Sequence, residues 1–155
     1  MNNKKSTTLK KILWILAVVL VLIQFYRPAK NISDKQSANA IQLHYNVPQN
    51  VGTLLRTSCY DCHSNNTKYP WYNNIEPVAL WLNSHINDGK RHLNFDEFDT
   101  YSAEKKIKKL HEIAKTVEKD EMPLSSYTFI HGDALLSTEN KKVLINWATA
   151  LSKAQ

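Results

Sequence analysis

Glycine, cysteine and methionine are all scarce in this 155-residue chain, which has three glycines, two cysteines and two methionines. No stretch alternates apolar and polar residues at the two-residue period of a half-buried strand, so a β fold has no support and the chain reads as all-α with long connections. With two cysteines, a four-cysteine zinc site lacks its second pair. No internal repeat and no low-complexity tract occurs. Nor does any constellation of general acid, base and nucleophile stand out.

Charge is also unevenly spread. The formal net charge is +6, but residues 1–40 hold seven Lys/Arg against one Asp, and the rest is balanced at thirteen of each sign. The excess is therefore a local feature of the N-terminus, and a nucleic-acid-binding surface is not implied. Lys105, Lys106, Lys108 and Lys109 cluster, but Glu104, Glu112 and Glu118 flank them. They read as a solvated helix face, against the alternative of a docking patch for an acidic redox partner.

The N-terminus reads as a topological signal. Lys4, Lys5, Lys10 and Lys11 precede an apolar run from Ile12 to Ile23 with no acid before it. The run suits the apolar core of a signal peptide in length and falls short of the roughly 20 residues that span a bilayer. A cleavage site is missing, because Tyr26-Arg27-Pro28 suits a signal peptidase poorly and Ala38-Asn39-Ala40 lies too far along. Leu9, the stems of Lys10 and Lys11, and Tyr26 at the far interface extend the effective span by snorkelling. An uncleaved transmembrane signal anchor over 1–28 is the favoured reading, over a removed peptide or a buried core helix. The lysines then place the N-terminus in the cytoplasm and the remainder in the periplasm of a bacterial inner membrane. Residues 29–40 are polar and read as a flexible tether, and 41–155 as one small domain.

Within that domain Pro48 suits the first turn of a helix that carries Val51, Leu54 and Leu55 toward Cys59. A second helix is predicted from about Glu76 to Asn87, with Pro77 at its start and Gly89 as its stop. A third follows Ser102 as N-cap, with Ile107, Leu110, Ala114 and Val117 as its core stripe, and ends near Asp120. A fourth follows Ser137 and carries Val143, Leu144, Trp147 and Leu151. The stretches 64–75 and 124–136 read as aromatic loops, with Tyr69, Trp71, Tyr72, Tyr127 and Phe129 serving as walls of a site or as ordinary core.

The two cysteines fall in Cys59-Tyr60-Asp61-Cys62-His63. Cys-x-x-Cys-His is the attachment pattern of c-type haem. Two thiols add to the two vinyl groups of a porphyrin, two intervening residues let both sulfurs reach one edge of the ring, and the next residue offers its imidazole to the iron. The competing readings are a thioredoxin-like redox disulfide, which wants a βαβ context, and half a zinc site. Met122, in Glu121-Met122-Pro123-Leu124, is a candidate sixth ligand on a loop stiffened by proline. Its alternative role is filling a gap in the core. His44, His85, His92, His111 and His131 are the competing histidines. Of these, His85, His111 and His131 lie nearest to apolar stripes or site-like loops, and His92 reads as exposed.

The run Cys62-His63-Ser64-Asn65-Asn66-Thr67-Lys68-Tyr69-Pro70-Trp71-Tyr72, with the later Glu121-Met122-Pro123-Leu124, resembles the bacterial haem-binding domain family over roughly His44 to Leu151. The resemblance implies a small exported protein with one covalent haem c, Cys59 and Cys62 at the thioether positions, His63 as axial ligand and Met122 at the family's Met-Pro. It supplies no settled substrate or reaction. The order of haem motif, ligand loop and C-terminal helix is also similar to that of cytochrome c. The expectation is a membrane-anchored, mono-haem, cytochrome c-like carrier of single electrons rather than an enzyme. Its partner would be a redox protein or a membrane respiratory complex. The alternatives are a haem-based redox or gas sensor, an accessory haem-binding subunit, and a peroxidase using His85 or His111 distally.

Overall fold

The computed structural model describes residues 3–154, and for residues 3–6 the backbone alone. Met1 and Gln155, the outer bounds of the expected anchor and domain, lie outside the described residues, as do the side chains of Lys4 and Lys5. All regular structure among the described residues is helical, as the pattern of apolar residues predicts.

Among the described residues eight α-helices follow one another: α1 (Asn3–Ile23), α2 (Ile41–His44), α3 (Gln49–Ser58), α4 (Tyr60–His63), α5 (Val78–His92), α6 (Ala103–Glu118), α7 (Ser125–Thr128) and α8 (Thr138–Lys153). Short 3-10 turns occupy Trp71–Asn74, Phe95–Thr100 and Gly132–Ala134. The chain divides into two compact units. One comprises the stretch through Lys30 with Tyr69–His85, and the other Asn31–Lys68 with the chain from Ile86 onward.

In the first unit Gln24 clasps the backbone of Glu76. Its amide donates to the Glu76 carbonyl at 3.0 Å and its oxygen accepts from the Glu76 N–H at 3.0 Å. The Glu76 carboxylate is buried and accepts from the Leu80 N–H at 3.0 Å, which caps the start of α5. Among the described residues no helix is long and apolar enough to cross a membrane. The transmembrane helix expected within 1–28 thus finds no support there. The apolar run from Ile12 to Ile23 covers about 18 Å at 1.5 Å per residue, against about 30 Å of hydrocarbon.

The second unit holds the apolar core. Helices α6 and α8 pack along each other, with Leu110, Ile113 and Val117 on one and Leu144, Trp147 and Ala148 on the other buried in a shared cluster. Phe95 and Phe98 extend that cluster. Both long helices start as their sequences predict, since the Ser102 hydroxyl accepts from Lys105 N–H at 3.3 Å and the Ser137 hydroxyl from Asn140 N–H at 3.1 Å. Pro48 sits one place earlier than predicted, at the N-cap of α3.

Two sequence expectations change. Gly89 does not stop α5, which continues to His92. A Cβ at Gly89 would stand 2.5 Å from the Cys62 carbonyl oxygen, so glycine is there to let the Cys-x-x-Cys-His turn approach the helix backbone. The stretch read as a loose tether is bonded from Asn31 onward. Asn31 donates to the Ser64 carbonyl and the Thr67 hydroxyl, each at 2.9 Å, Ser33 N–H donates to the Asn66 side chain at 2.8 Å, and Ala40 is fully buried.

Gly89→Ala is therefore expected to lower stability by about 1–3 kcal/mol despite alanine's better helix propensity. Gly132→Ala, where nothing lies within 4 Å of the new methyl, serves as the near-neutral control in the same thermal or urea unfolding series.

Candidate functional site

The site begins where α3 breaks. Cys59 leaves helical geometry at φ −129° and ψ −42°, and its carbonyl then accepts from Cys62 N–H at 3.2 Å and from His63 N–H at 3.0 Å. One carbonyl thus closes the turn, and the i, i+3 spacing puts both cysteines on one side of it. Both thiols are free and partly buried.

Burial, then Cys62, pushes the Cys59 thiol up to about 12, and burial, then Asp61, pushes the Cys62 thiol up to about 11. Redox and catalytic cysteines have the opposite property, a depressed pKa that supplies thiolate at neutral pH. The thioredoxin-like alternative also lacks its fold, since no strand occurs among the described residues. Nor among the described residues do three or more His, Cys, Asp or Glu side chains gather as a metal would need, which leaves the zinc alternative without a ligand set.

His63 is held by the backbone just past α5. Its Nδ1 lies 3.0 Å from the Leu93 carbonyl oxygen. A carbonyl accepts only, so Nδ1 carries the proton and Nε2 keeps its lone pair. This is the backing that metal-bound imidazoles receive from a second residue. Burial lowers the His63 pKa and favours the neutral ring. Phe95 stands edge-on to the ring at 6.5 Å, and the same Phe95 stacks on Tyr60 at 5.3 Å.

Asp61, the second variable residue of the motif, ties the turn to two other segments. Its Oδ1 accepts from Lys68 N–H at 3.0 Å, its Oδ2 from the Tyr127 phenol at 2.7 Å, and its carbonyl from the Thr67 hydroxyl at 2.6 Å. Burial, then the bond to Asp61, raises the Tyr127 pKa and keeps the phenol a donor. The polar run after the motif is equally bound. Asn65 N–H donates to Asp96 at 2.8 Å, the Asn65 amide donates to Glu97 at 2.8 Å, and the Asn94 amide donates to the Asn65 oxygen at 2.8 Å.

Met122 follows the end of α6, which closes through Asp120 in the left-handed region at φ 59°. Asp120 N–H donates to the Val117 carbonyl at 3.3 Å and Glu121 N–H to the Thr116 carbonyl at 2.9 Å. These are the two bonds of a Schellman cap, here built without glycine. Met122 N–H also donates to the Thr116 carbonyl, at 3.2 Å, and its side chain is half-buried. Cys59, Cys62 and His63 thus share one turn, and the loop carrying Met122 is joined to that turn through Tyr127 and Asp61.

The other histidines are placed differently. His92 and His111 are exposed. His85 sits in the first unit, with Nδ1 2.9 Å from the Trp81 carbonyl. His44 has Nε2 2.7 Å from the Ala38 carbonyl and Nδ1 3.5 Å from Asp99. His131 stacks on Tyr127 at 4.4 Å. Sequence reasoning missed Asp61, Tyr127, Leu93 and Gly89. Tyr127 reads from the sequence as an aromatic wall or ordinary core, and nothing local marks its hydroxyl as a contact to the motif.

The donor set suits haem: a neutral, backed imidazole, two un-ionised thiols on one turn, and a half-buried thioether on a capped loop. Residues 18–150 match a family model described as a haem-binding domain. No curated protein matches, and no solved structure matches.

The raised thiol pKa values carry a chemical consequence. In unloaded, folded protein at pH 8, iodoacetamide is expected to modify Cys59 and Cys62 about tenfold or more slowly than a free cysteine of pKa about 8.5. The rate should climb through pH 10–11, and unfolding in urea should abolish the difference. Fast alkylation near pH 7 would restore the redox-thiol reading.

Proposed function

The chain belongs to the haem-binding domain family, and from that premise we propose that it is a membrane-anchored, mono-haem, c-type cytochrome-like protein that carries single electrons in the periplasm. In this reading Cys59 and Cys62 would hold haem c through two thioether bonds, and His63 and Met122 would bind its iron. When bound, the group supplies a ferric/ferrous couple that accepts and returns one electron. The chain's own residues bind and orient. Leu93 holds the His63 tautomer, Gly89 lets the motif sit against α5, and Asp61 fastens the turn to its neighbours. No residue is asked to act as acid, base or nucleophile, so we read a carrier rather than an enzyme.

The observation that carries this reading is the 3.0 Å contact between His63 Nδ1 and the Leu93 carbonyl, on the turn that also bears both free cysteines. A thioether as second ligand favours the ferrous state and raises the potential.

Membrane attachment is supported by the surface of α1. Leu13, Leu16 and Leu20 are 56%, 52% and 53% exposed, and Trp14 is 74% exposed. A helix that shows apolar side chains all round suits lipid rather than water. Lys10 and Lys11 before the run and Tyr26 after it are the residues that reach the two interfaces. With the lysines cytoplasmic, the haem domain lies in the periplasm, where a redox protein or a membrane respiratory complex would exchange electrons with it. A second reading, an accessory haem-binding subunit or a haem-based sensor, draws on the exposure of Phe129 and Ile130 close behind Met122, at 89% and 57%.

Holoprotein made alongside a haem-ligation apparatus is expected to gain the mass of one haem and to give a pyridine haemochrome of the two-thioether type. Its ferric spectrum should be six-coordinate and low-spin, and Met122→Ala should remove the Fe–S band and open the iron to CO. Absence of covalent haem sinks the proposal. Rapid CO binding to the reduced, unmutated protein moves it to the sensor reading. Intact mass of the membrane fraction should retain the N-terminal segment.

A further inference from the structure

The segment after Met122 is fastened at two points, by different means. At its start, backbone bonds to Thr116 at 2.9 and 3.2 Å hold Glu121 and Met122 to the end of α6. Further along, a side chain fastens it to the motif before the chain enters the core at Ala134 and Leu136. Tyr127 donates to Asp61 Oδ2 at 2.7 Å across 66 residues of chain.

Tyr127 is also the centre of its own small fold. Its N–H donates to the Leu124 carbonyl at 2.9 Å, its carbonyl accepts from His131 N–H at 2.9 Å, and its ring lies over His131 with planes 23° apart. The acceptor is fixed independently of the loop, because Asp61 is held by the Lys68 N–H at 3.0 Å and the Thr67 hydroxyl at 2.6 Å. A folded loop is thus pinned to a rigid point within the motif itself.

We propose that Tyr127 is a positioning residue for the sixth ligand: its hydrogen bond to Asp61 closes the Met122 loop onto the Cys-x-x-Cys-His turn and holds the thioether in place. The inference rests on the reading of Met122 as ligand given above. Loss of one hydrogen bond to a charged group raises the population of the open loop about 10- to 100-fold.

The test titrates ferric holoprotein with imidazole, which binds the iron when the thioether leaves, and follows the Fe–S band. Tyr127→Phe and Asp61→Ala are expected to lower the apparent Kd about 10- to 100-fold. Asp61→Asn is expected to stay within about threefold, because its amide can accept from Lys68 N–H and donate to the phenol oxygen. That rescue separates a hydrogen-bonded latch from a general loss of packing, which would lower the melting temperature without splitting the two Asp61 variants. If Tyr127→Phe fails to accumulate as holoprotein, the Asp61→Ala and Asp61→Asn pair decides alone. A Kd unchanged within twofold in Tyr127→Phe or Asp61→Ala, alongside tight imidazole binding by Met122→Ala, overturns the latch and leaves Met122 ligation standing. A spectrum unchanged in Met122→Ala overturns both.

Discussion

A single carboxylate between the two thiols organises the site. Asp61 accepts from the Lys68 backbone, the Tyr127 phenol and, through its own carbonyl, the Thr67 hydroxyl. Withdrawing a carboxylate from water is costly unless its oxygens find donors, and here both do. The result is that three stretches of chain meet at one residue: the motif turn, the polar run that follows it, and the Met122 loop far downstream. Hydrogen bonds to charged groups are stronger than neutral ones, at about 1.5–3 kcal/mol each. They are also directional, so they set where the segments lie as well as how firmly they are held.

Around that point the second unit divides its work. On one side an apolar cluster of Phe95, Phe98, Leu110 and Leu144 packs in the usual way. On the other, Asn31, Ser64, Asn65, Thr67, Asn94 and Asp96 form a network of short bonds. A small domain has little apolar volume to spare, and a satisfied polar network rigidifies a region that the core cannot reach. Phe95 links the core to the motif turn, since it belongs to the core and also packs against Tyr60 and His63. The imidazole is thereby held from two directions, by a ring on one side and by the Leu93 carbonyl at Nδ1.

What could be read in the sequence follows the range of the signal. Ser102 and Ser137 are caps whose chemistry is complete within three residues, and the stripes of α6 and α8 repeat within a turn, so both helices were legible. Cys59, Cys62 and His63 were legible because they are nearly contiguous, and the family match over residues 18–150 agrees with the haem-binding reading. Gly89 was misread because its reason, the Cys62 carbonyl, lies outside its own helix. Asp120 carries a left-handed cap without the glycine that would have announced it. Residues 31–40 look like tether in composition, yet Asn31 and Ser33 are bonded to a segment some thirty residues away. The Tyr127–Asp61 and His63–Leu93 pairs are likewise long-range, and no period or motif encodes them.

The electrostatics of the turn work against a redox-active dithiol. Burial raises both thiol pKa values and lowers that of the imidazole. All three groups are therefore pushed toward their neutral forms by the same cause. Thiol–disulfide exchange requires thiolate, so this environment works against it. Addition of a thiol to a vinyl group leaves a neutral thioether, and a neutral imidazole with its Nδ1 proton spoken for is the form that binds iron. A large apolar ring laid against this turn would deepen the burial that already favours those forms. On the proposal that Cys59 and Cys62 hold haem c, the neutral thioethers so formed would suit the same burial that keeps the free thiols un-ionised.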